Sequence, residues 1–107
     1  MKDMTRERAA QLFSALSHPT RLRLVELLAN GEKTVNDLAN ELQFGQSGVS
    51  QHLSILTRAG ALVVEQRGVY RFYRVRGPRI LRILNLIEEF CELHSLYGTV
   101  EETEETD

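Results

Sequence analysis

The stretch Gln46-Ser47-Gly48-Val49-Ser50-Gln51-His52-Leu53-Ser54-Ile55-Leu56-Thr57-Arg58-Ala59-Gly60 decides the fold of this chain. Val49, Leu53 and Leu56 recur at i, i+4 and i+7, the spacing of one buried helix face. Gln46, Ser47, Ser50, Gln51 and Ser54 fall on the other side, with no Lys or Glu among them. A merely solvated helix face is ordinarily rich in those charges. Short amides and hydroxyls without carboxylates suit a face that meets the hydrogen-bonding edges of bases in a major groove. Gly48 costs roughly 1 kcal/mol relative to alanine inside a helix. Its missing side chain leaves room for close backbone approach.

Upstream, Thr34 caps a short helix over 34–43, whose stripe is Val35, Leu38, Ala39 and Leu42. Phe44-Gly45 breaks it before the helix at about 46–59 begins, and Gly60 closes the second helix. Two helices joined by a tight glycine-containing turn form a helix-turn-helix. Further upstream, Thr5 is placed to cap a first helix carrying Ala9, Leu12, Phe13 and Leu16. Ser17-His18-Pro19-Thr20 ends it and starts another, with His18 at the junction and proline in the first turn. That second helix carries Leu24, Val25, Leu27 and Leu28 and stops at Asn30-Gly31.

Downstream of Gly60 the period changes to alternation. Leu62–Glu65 and Tyr70–Val75 are rich in β-branched and aromatic residues and read as a β-hairpin, with Arg67-Gly68 as its turn. Gly77-Pro78 interrupts, and a long final helix runs from about Arg79 to Tyr97. The predicted fold is mainly α with a β-hairpin wing, in the order α-α-α-α-β-β-α: a winged helix-turn-helix. Residues 1–98 form one domain, and 99–107 an acidic, disordered tail with no apolar residue after Val100.

The bulk composition fits an ordinary globular chain of 107 residues, 42% hydrophobic and 26% charged. No apolar run approaches the roughly 20 residues of a membrane span. Met1–Arg8 is charged and does not read as a signal peptide. Cys91 is the single cysteine, so no intramolecular disulfide forms and a cytoplasmic location is expected. The net charge of −2 conceals an asymmetry. Residues 45–79 hold Arg58, Arg67, Arg71, Arg74, Arg76 and Arg79 against only Glu65, whereas residues 80–107 hold Arg82 against eight acids. A basic middle segment in an acidic chain is an electrostatic footprint for a phosphate backbone. Arg67, Arg71 and Arg74 on the hairpin and Arg58 beside the polar face are the expected contacts, with Arg21 a weaker one. The hairpin arginines also suit a second role, keeping an exposed edge strand soluble. For His52 two readings stand: a DNA contact, or packing and hydrogen bonding at the helix–turn–helix seam.

These residues carry a family resemblance. His18-Pro19-Thr20-Arg21-Leu22-Arg23-Leu24 resembles the H-P-x-R-L-x-I/L opening of the ArsR/SmtB winged-helix repressors. Gln46-Ser47-Gly48-Val49-Ser50-Gln51-His52-Leu53 resembles their Q/E-S-x-V-S-x-H-L recognition helix, and Leu56–Val63 their L-x-x-A-G-L-V. Arg67-Gly68 followed by Phe72-Tyr73-Arg74-Val75 is similar to the wing's R-x-G…Y-Y-x-L. The resemblance covers about residues 10–97. It implies a homodimer joined through its first and last helices, with two recognition helices in successive major grooves. The operator would then be a rough palindrome with half-sites about 10 base pairs apart. The final helix supports self-association independently: Ile80, Ile83, Leu84, Ile87, Phe90, Cys91 and His94 trace one stripe, and Leu86, Leu93 and Tyr97 another. Leu12, Phe13 and Leu16 are expected to complete that interface. Val69 departs from the resemblance, because family members often carry a basic residue after the wing glycine.

The family's usual metal sites are missing from the sequence. Thr34-Val35-Asn36-Asp37-Leu38 has no thiol where one site places Cys-x-Cys. Arg82, Leu84 and His94-Ser95-Leu96-Tyr97 replace the Asp-x-His and His-x-x-Glu of the other. Glu88, Cys91 and His94 remain as a loose i, i+3, i+6 set. With their copies across a dimer axis, Cys91 and His94 offer a minor metal or redox reading beside the bland one of core packing. No cofactor is expected. No phosphate loop, nucleophile elbow or His-Glu-x-x-His is present, so the chain is not read as an enzyme. The expectation is a dimeric, sequence-specific repressor of transcription, released by an effector the sequence does not name. The alternative is a winged helix used as a protein-interaction module.

Overall fold

The computed structural model describes residues 1–94. It contains α1 (Asp3–Leu16), α2 (Pro19–Leu27) followed by a 3-10 turn at Leu28–Asn30, β1 (Lys33–Thr34), α3 (Val35–Leu42), α4 (Gln46–Arg58), β2 (Leu62–Arg67), β3 (Tyr70–Val75) and α5 (Pro78–Leu93). The expected acidic tail, and the expected continuation of the final helix to Tyr97, lie outside the described residues. The chain divides into two compact units, Met1–Gly77 and a second from Pro78 onward.

The helical part of the first unit follows its apolar periodicities. Leu24, Val25 and Leu28 of the second helix and its 3-10 extension, Leu38 of α3, and Val49, Leu53 and Leu56 of α4 are fully buried with Leu62 of β2. Each such side chain stabilises the fold by about 1.5–3 kcal/mol relative to exposure. Thr34 caps α3 as expected, its hydroxyl accepting from the Asp37 N–H at 3.1 Å. The Asp37 carboxylate accepts from the Thr34 N–H at 3.1 Å, which completes a reciprocal capping box. His18 caps α2, its Nδ1 accepting from the Thr20 N–H at 3.1 Å.

Several local expectations are corrected. α1 starts at Asp3 and not after Thr5, with Lys2 at its cap position and no side-chain cap. Asp3 favours the positive end of the helix and holds Arg6 at 2.8 Å, so the helix gains a turn. The α3–α4 turn reverses on Gln43, in the left-handed region at φ 58°, while Gly45 is the cap position of α4. The hairpin pairs Arg67 with Tyr70, so its two-residue turn is Gly68-Val69 and not Arg67-Gly68. Gly68 supplies the positive φ of 60° that such a turn needs. β1 was not anticipated. It pairs antiparallel with β3, Thr34 opposite Phe72, and gives a sheet in the order β1-β3-β2.

In the second unit, α5 is a single amphipathic helix. Ile80 is buried; Ile83, Leu84 and Cys91 are partly exposed. Leu86, Ile87, Phe90 and Leu93 lie open, Phe90 at 55% and Leu93 at 79%. The His94 ring lies against that of Phe90 at 4.5 Å.

Candidate nucleic-acid interface

On α4 the polar residues divide by position. Ser47, Gln51, Ser54 and Arg58 stand at i, i+4, i+7 and i+11, one line along the helix opposite the buried Val49, Leu53 and Leu56. All four are exposed, and none makes a side-chain hydrogen bond or ion pair among the described residues. Ser50 flanks the line and is partly exposed. Gln46 flanks it too, and its Nε2 donates to Asn36 Oδ1 of α3 at 2.7 Å, bracing the start of α4. Gly45 brings no side chain to cap α4, so the leading N–H groups of the helix stay open to an acceptor. Gly48 is exposed, and a Cβ built there meets nothing within 4 Å. The protein's own packing therefore does not require glycine at this position.

His52 lies off this line, partly buried at the seam. Its Nδ1 accepts from Arg21 Nε at 3.1 Å, and its ring lies 4.6 Å from that of His18. Arg21 also donates from Nη1 to the Ala15 carbonyl at 3.2 Å. Of the two readings for His52, the geometry favours the seam. It also turns Arg21 inward rather than leaving it free for a phosphate. Burial, with His18 and Arg21 alongside, holds the His52 pKa below the usual histidine range.

The wing arginines differ in the face they occupy and in their partners. Alternation in β3 sets Arg71 on the face of Tyr73 and Val75, and Arg74 on the face of Tyr70 and Phe72. Arg67 is committed within the chain: it donates to both Glu32 oxygens at 2.7 and 2.6 Å and to Glu65 at 3.1 Å, and its guanidinium sits 4.4 Å over the Phe72 ring. Hydrogen bonds from Arg67, and the nearby Arg74 charge, hold both carboxyls below the usual glutamate range and raise Arg67 in turn. Arg76 donates to the Gly60 carbonyl at 2.8 Å. Arg71 is exposed and makes no ion pair among the described residues. The wing tip is uncharged, with Val69 86% exposed beside an exposed Tyr70. Asn36 and Glu32 are the site neighbours that sequence reasoning missed.

Of the residues expected at a self-association surface, Leu12 is partly exposed and Phe13 is exposed. Leu16 and Ile80 are buried in the single chain. Among the described residues, no three His, Cys, Asp or Glu side chains converge as a metal cluster. No described helix is long and apolar enough to cross a membrane.

A helix-turn-helix whose second helix presents an open polar line, flanked by a β-hairpin, defines the winged helix-turn-helix class of DNA-binding regulators. The chain belongs to the arsR family of bacterial regulatory proteins, whose family model matches residues 18–62, from the cap of α2 to the start of β2. It is 38% identical over 84 residues to an HTH-type transcriptional regulator of Methanocaldococcus jannaschii, covering 78% of this chain and 94% of that protein. It is 32% identical over 79 residues to the transcriptional repressor SdpR of Bacillus subtilis, covering 74% of this chain and 88% of the relative. The fold matches a solution structure from Mycobacterium bovis described as a homodimeric winged helix-turn-helix DNA-binding domain. That match has a TM-score of 0.79 at 23% identity and covers 95% of this chain and 97% of the other. The protein is a DNA-binding transcriptional regulator and not an enzyme.

Proposed function

We propose that the protein is a homodimeric repressor that reads a palindromic operator with α4. The observation that carries this reading is the line Ser47, Gln51, Ser54 and Arg58, exposed and unspent on internal bonds. Hydroxyls and an amide there reach base edges, and Arg58 meets a phosphate at the helix end. Gln46 and Ser50 flank the contact, and the open N–H groups at the start of α4 meet a backbone phosphate. On the wing, Arg71 is the principal phosphate ligand. Arg74 is secondary, and Arg67 shapes the hairpin through Glu32.

Self-association uses the exposed apolar residues of α5, chiefly Ile87 and Phe90 with Ile83 and Leu84, together with Leu12 and Phe13 of α1. The homodimeric description of the Mycobacterium bovis domain is in keeping with self-association, and the choice of surface rests on the exposed apolar residues of this chain. Cys91 and His94 belong to that apolar surface in this reading, not to a metal site. Two half-sites follow from twofold symmetry, about one helical turn of DNA apart.

The test is fluorescence anisotropy of the protein with duplex DNA from its own upstream region, at two salt concentrations, alongside sedimentation velocity. A dimer that binds tightly, with affinity falling steeply as salt rises, is the expected result. Failure to bind that DNA and random duplex alike overturns the reading in favour of a protein-interaction module.

A further inference from the structure

We infer that Arg21 and His52 are positioning residues for the recognition helix: an unprotonated His52, lying against the His18 ring, and the Arg21 fork seat α4 against α2 and the end of α1, and acid unseats it. The inference rests on the reading of α4 as the helix that enters the groove, and goes beyond it.

The hydrogen bond from Arg21 assigns the His52 tautomer. Arginine only donates, so His52 Nδ1, 3.1 Å from Arg21 Nε, must be an unprotonated acceptor. His52 is therefore neutral, with its proton on Nε2. His18 Nδ1 accepts from the Thr20 N–H at 3.1 Å, which fixes the ring that lies against His52. Arg21 uses a second arm of its fork on the Ala15 carbonyl at 3.2 Å, so one guanidinium ties three helices. His52 sits on α4 next to Gln51, so any shift at this tie moves the base-reading line.

Protonation of His52 removes the acceptor that Arg21 uses and sets a charged ring beside the Arg21 guanidinium and 4.6 Å from the His18 ring. His18 and Arg21 are the charged or titratable groups that act on the His52 ring. α1, α3 and β2 also pack on α4 but add none there. The lowered pKa of His52 accords with this crowding. The direction of the effect is diagnostic. A histidine that touched DNA would tighten binding on protonation, by adding positive charge near phosphates. The seating role weakens operator binding instead.

The experiment uses the full chain with duplex from its own upstream region and with random duplex. Between about pH 7.5 and about pH 5.5, operator affinity is expected to fall about ten-fold while affinity for random duplex holds or rises. His52→Asn keeps an acceptor near the Nδ1 position that does not protonate. It should bind at neutral pH nearly as wild type does and lose most of the acid sensitivity. Arg21→Lys keeps the charge but not the fork, and should lose operator affinity about ten-fold with random-duplex affinity intact. Wild-type affinity that rises in acid, an unchanged acid response in His52→Asn, or an Arg21→Lys protein indistinguishable from wild type each overturns the inference. Nitrogen NMR of the free protein tests it independently of DNA. It should show His52 protonated on Nε2 and titrating below ordinary histidines, and an Nδ1–H tautomer overturns it. Absence of any DNA binding at neutral pH defeats the operator reading, whereas the tautomer result still decides the seat.

Discussion

Arg67 grips Glu32 across 35 residues of sequence through two hydrogen bonds of 2.7 and 2.6 Å. The pair joins the wing to the segment before β1, and Glu65 adds a third contact at 3.1 Å. The arginine nearest the wing turn is thus neutralised in the free protein, and a phosphate must compete with two carboxylates for it. Glu32→Gln should release Arg67 toward the DNA backbone. Random-duplex affinity is expected to rise, and the salt dependence to steepen by about one neutralised phosphate, a slope change near 0.9. Anisotropy titrations across several salt concentrations measure both. An unchanged slope would mean that Glu65 alone keeps Arg67 from the phosphates.

Gly48 separates folding from binding. Its ordinary helical backbone and the open space around its Cβ position mean that alanine fits without strain. Gly48→Ala should therefore stabilise the protein, by a few tenths to about 1 kcal/mol. If the groove comes close to this backbone, the same methyl group stands in its way, and operator affinity should drop. Denaturant unfolding and anisotropy on one preparation check the pair of signs. A stabilised protein with undiminished operator affinity would remove Gly48 from the interface.

The core of this architecture is legible in the sequence because α4 and the wing each carry a strong local period. Val49, Leu53 and Leu56 mark the inner face of α4, and the Thr34 cap follows from threonine ahead of an apolar stripe. What escaped was long-range or too short to have a period. β1 is two residues long, so alternation has no room to show. Arg21 and His52 are 31 residues apart, and their bond follows from how α2 crosses α4. Charge counting grouped Arg67, Arg71 and Arg74 as one patch. The pleat separates Arg71 from Arg74, and Glu32, 35 residues upstream, is folded onto Arg67.

Base reading should reside in Gln51 and Ser47. Both side chains are exposed on the outer line of α4 and hold no internal partner among the described residues, so truncation disturbs little of the fold. Gln51→Ala and Ser47→Ala are each expected to weaken operator binding by about 1–3 kcal/mol where they contact a base, and to relax preference at that base pair. Competition against operators mutated one pair at a time reads the relaxation. Unaltered affinity in Gln51→Ala would place the reading face elsewhere.

Self-association should fail when α5 carries a charge on its open apolar surface. Phe90 is 55% exposed in the single chain, so Phe90→Glu leaves the core untouched. In a dimer the same carboxylate would be buried without a partner, at a cost of several kcal/mol. Sedimentation velocity should show a folded monomer. Operator affinity should collapse, because one half-site is lost with the second recognition helix. A Phe90→Glu protein that remains dimeric would exclude this face of α5 from the interface.

Arg71 and Arg74 give the last discrimination, because they share a strand and differ in what faces them. Arg74 stands on the side of Phe72, near enough to Glu32 and Glu65 to lower both carboxyl pKa values. Arg71 stands on the opposite side with no ion pair among the described residues. A positive charge already balanced by carboxylates releases few counterions from DNA, whereas an unbalanced one releases about one per phosphate met. Arg71→Ala should weaken operator and random duplex alike and flatten the salt slope by about 0.9. Arg74→Ala should change the slope by less than half of that. Equal effects from the two substitutions would show that the wing meets DNA as a single cationic patch after all, with Glu32 and Glu65 displaced on binding.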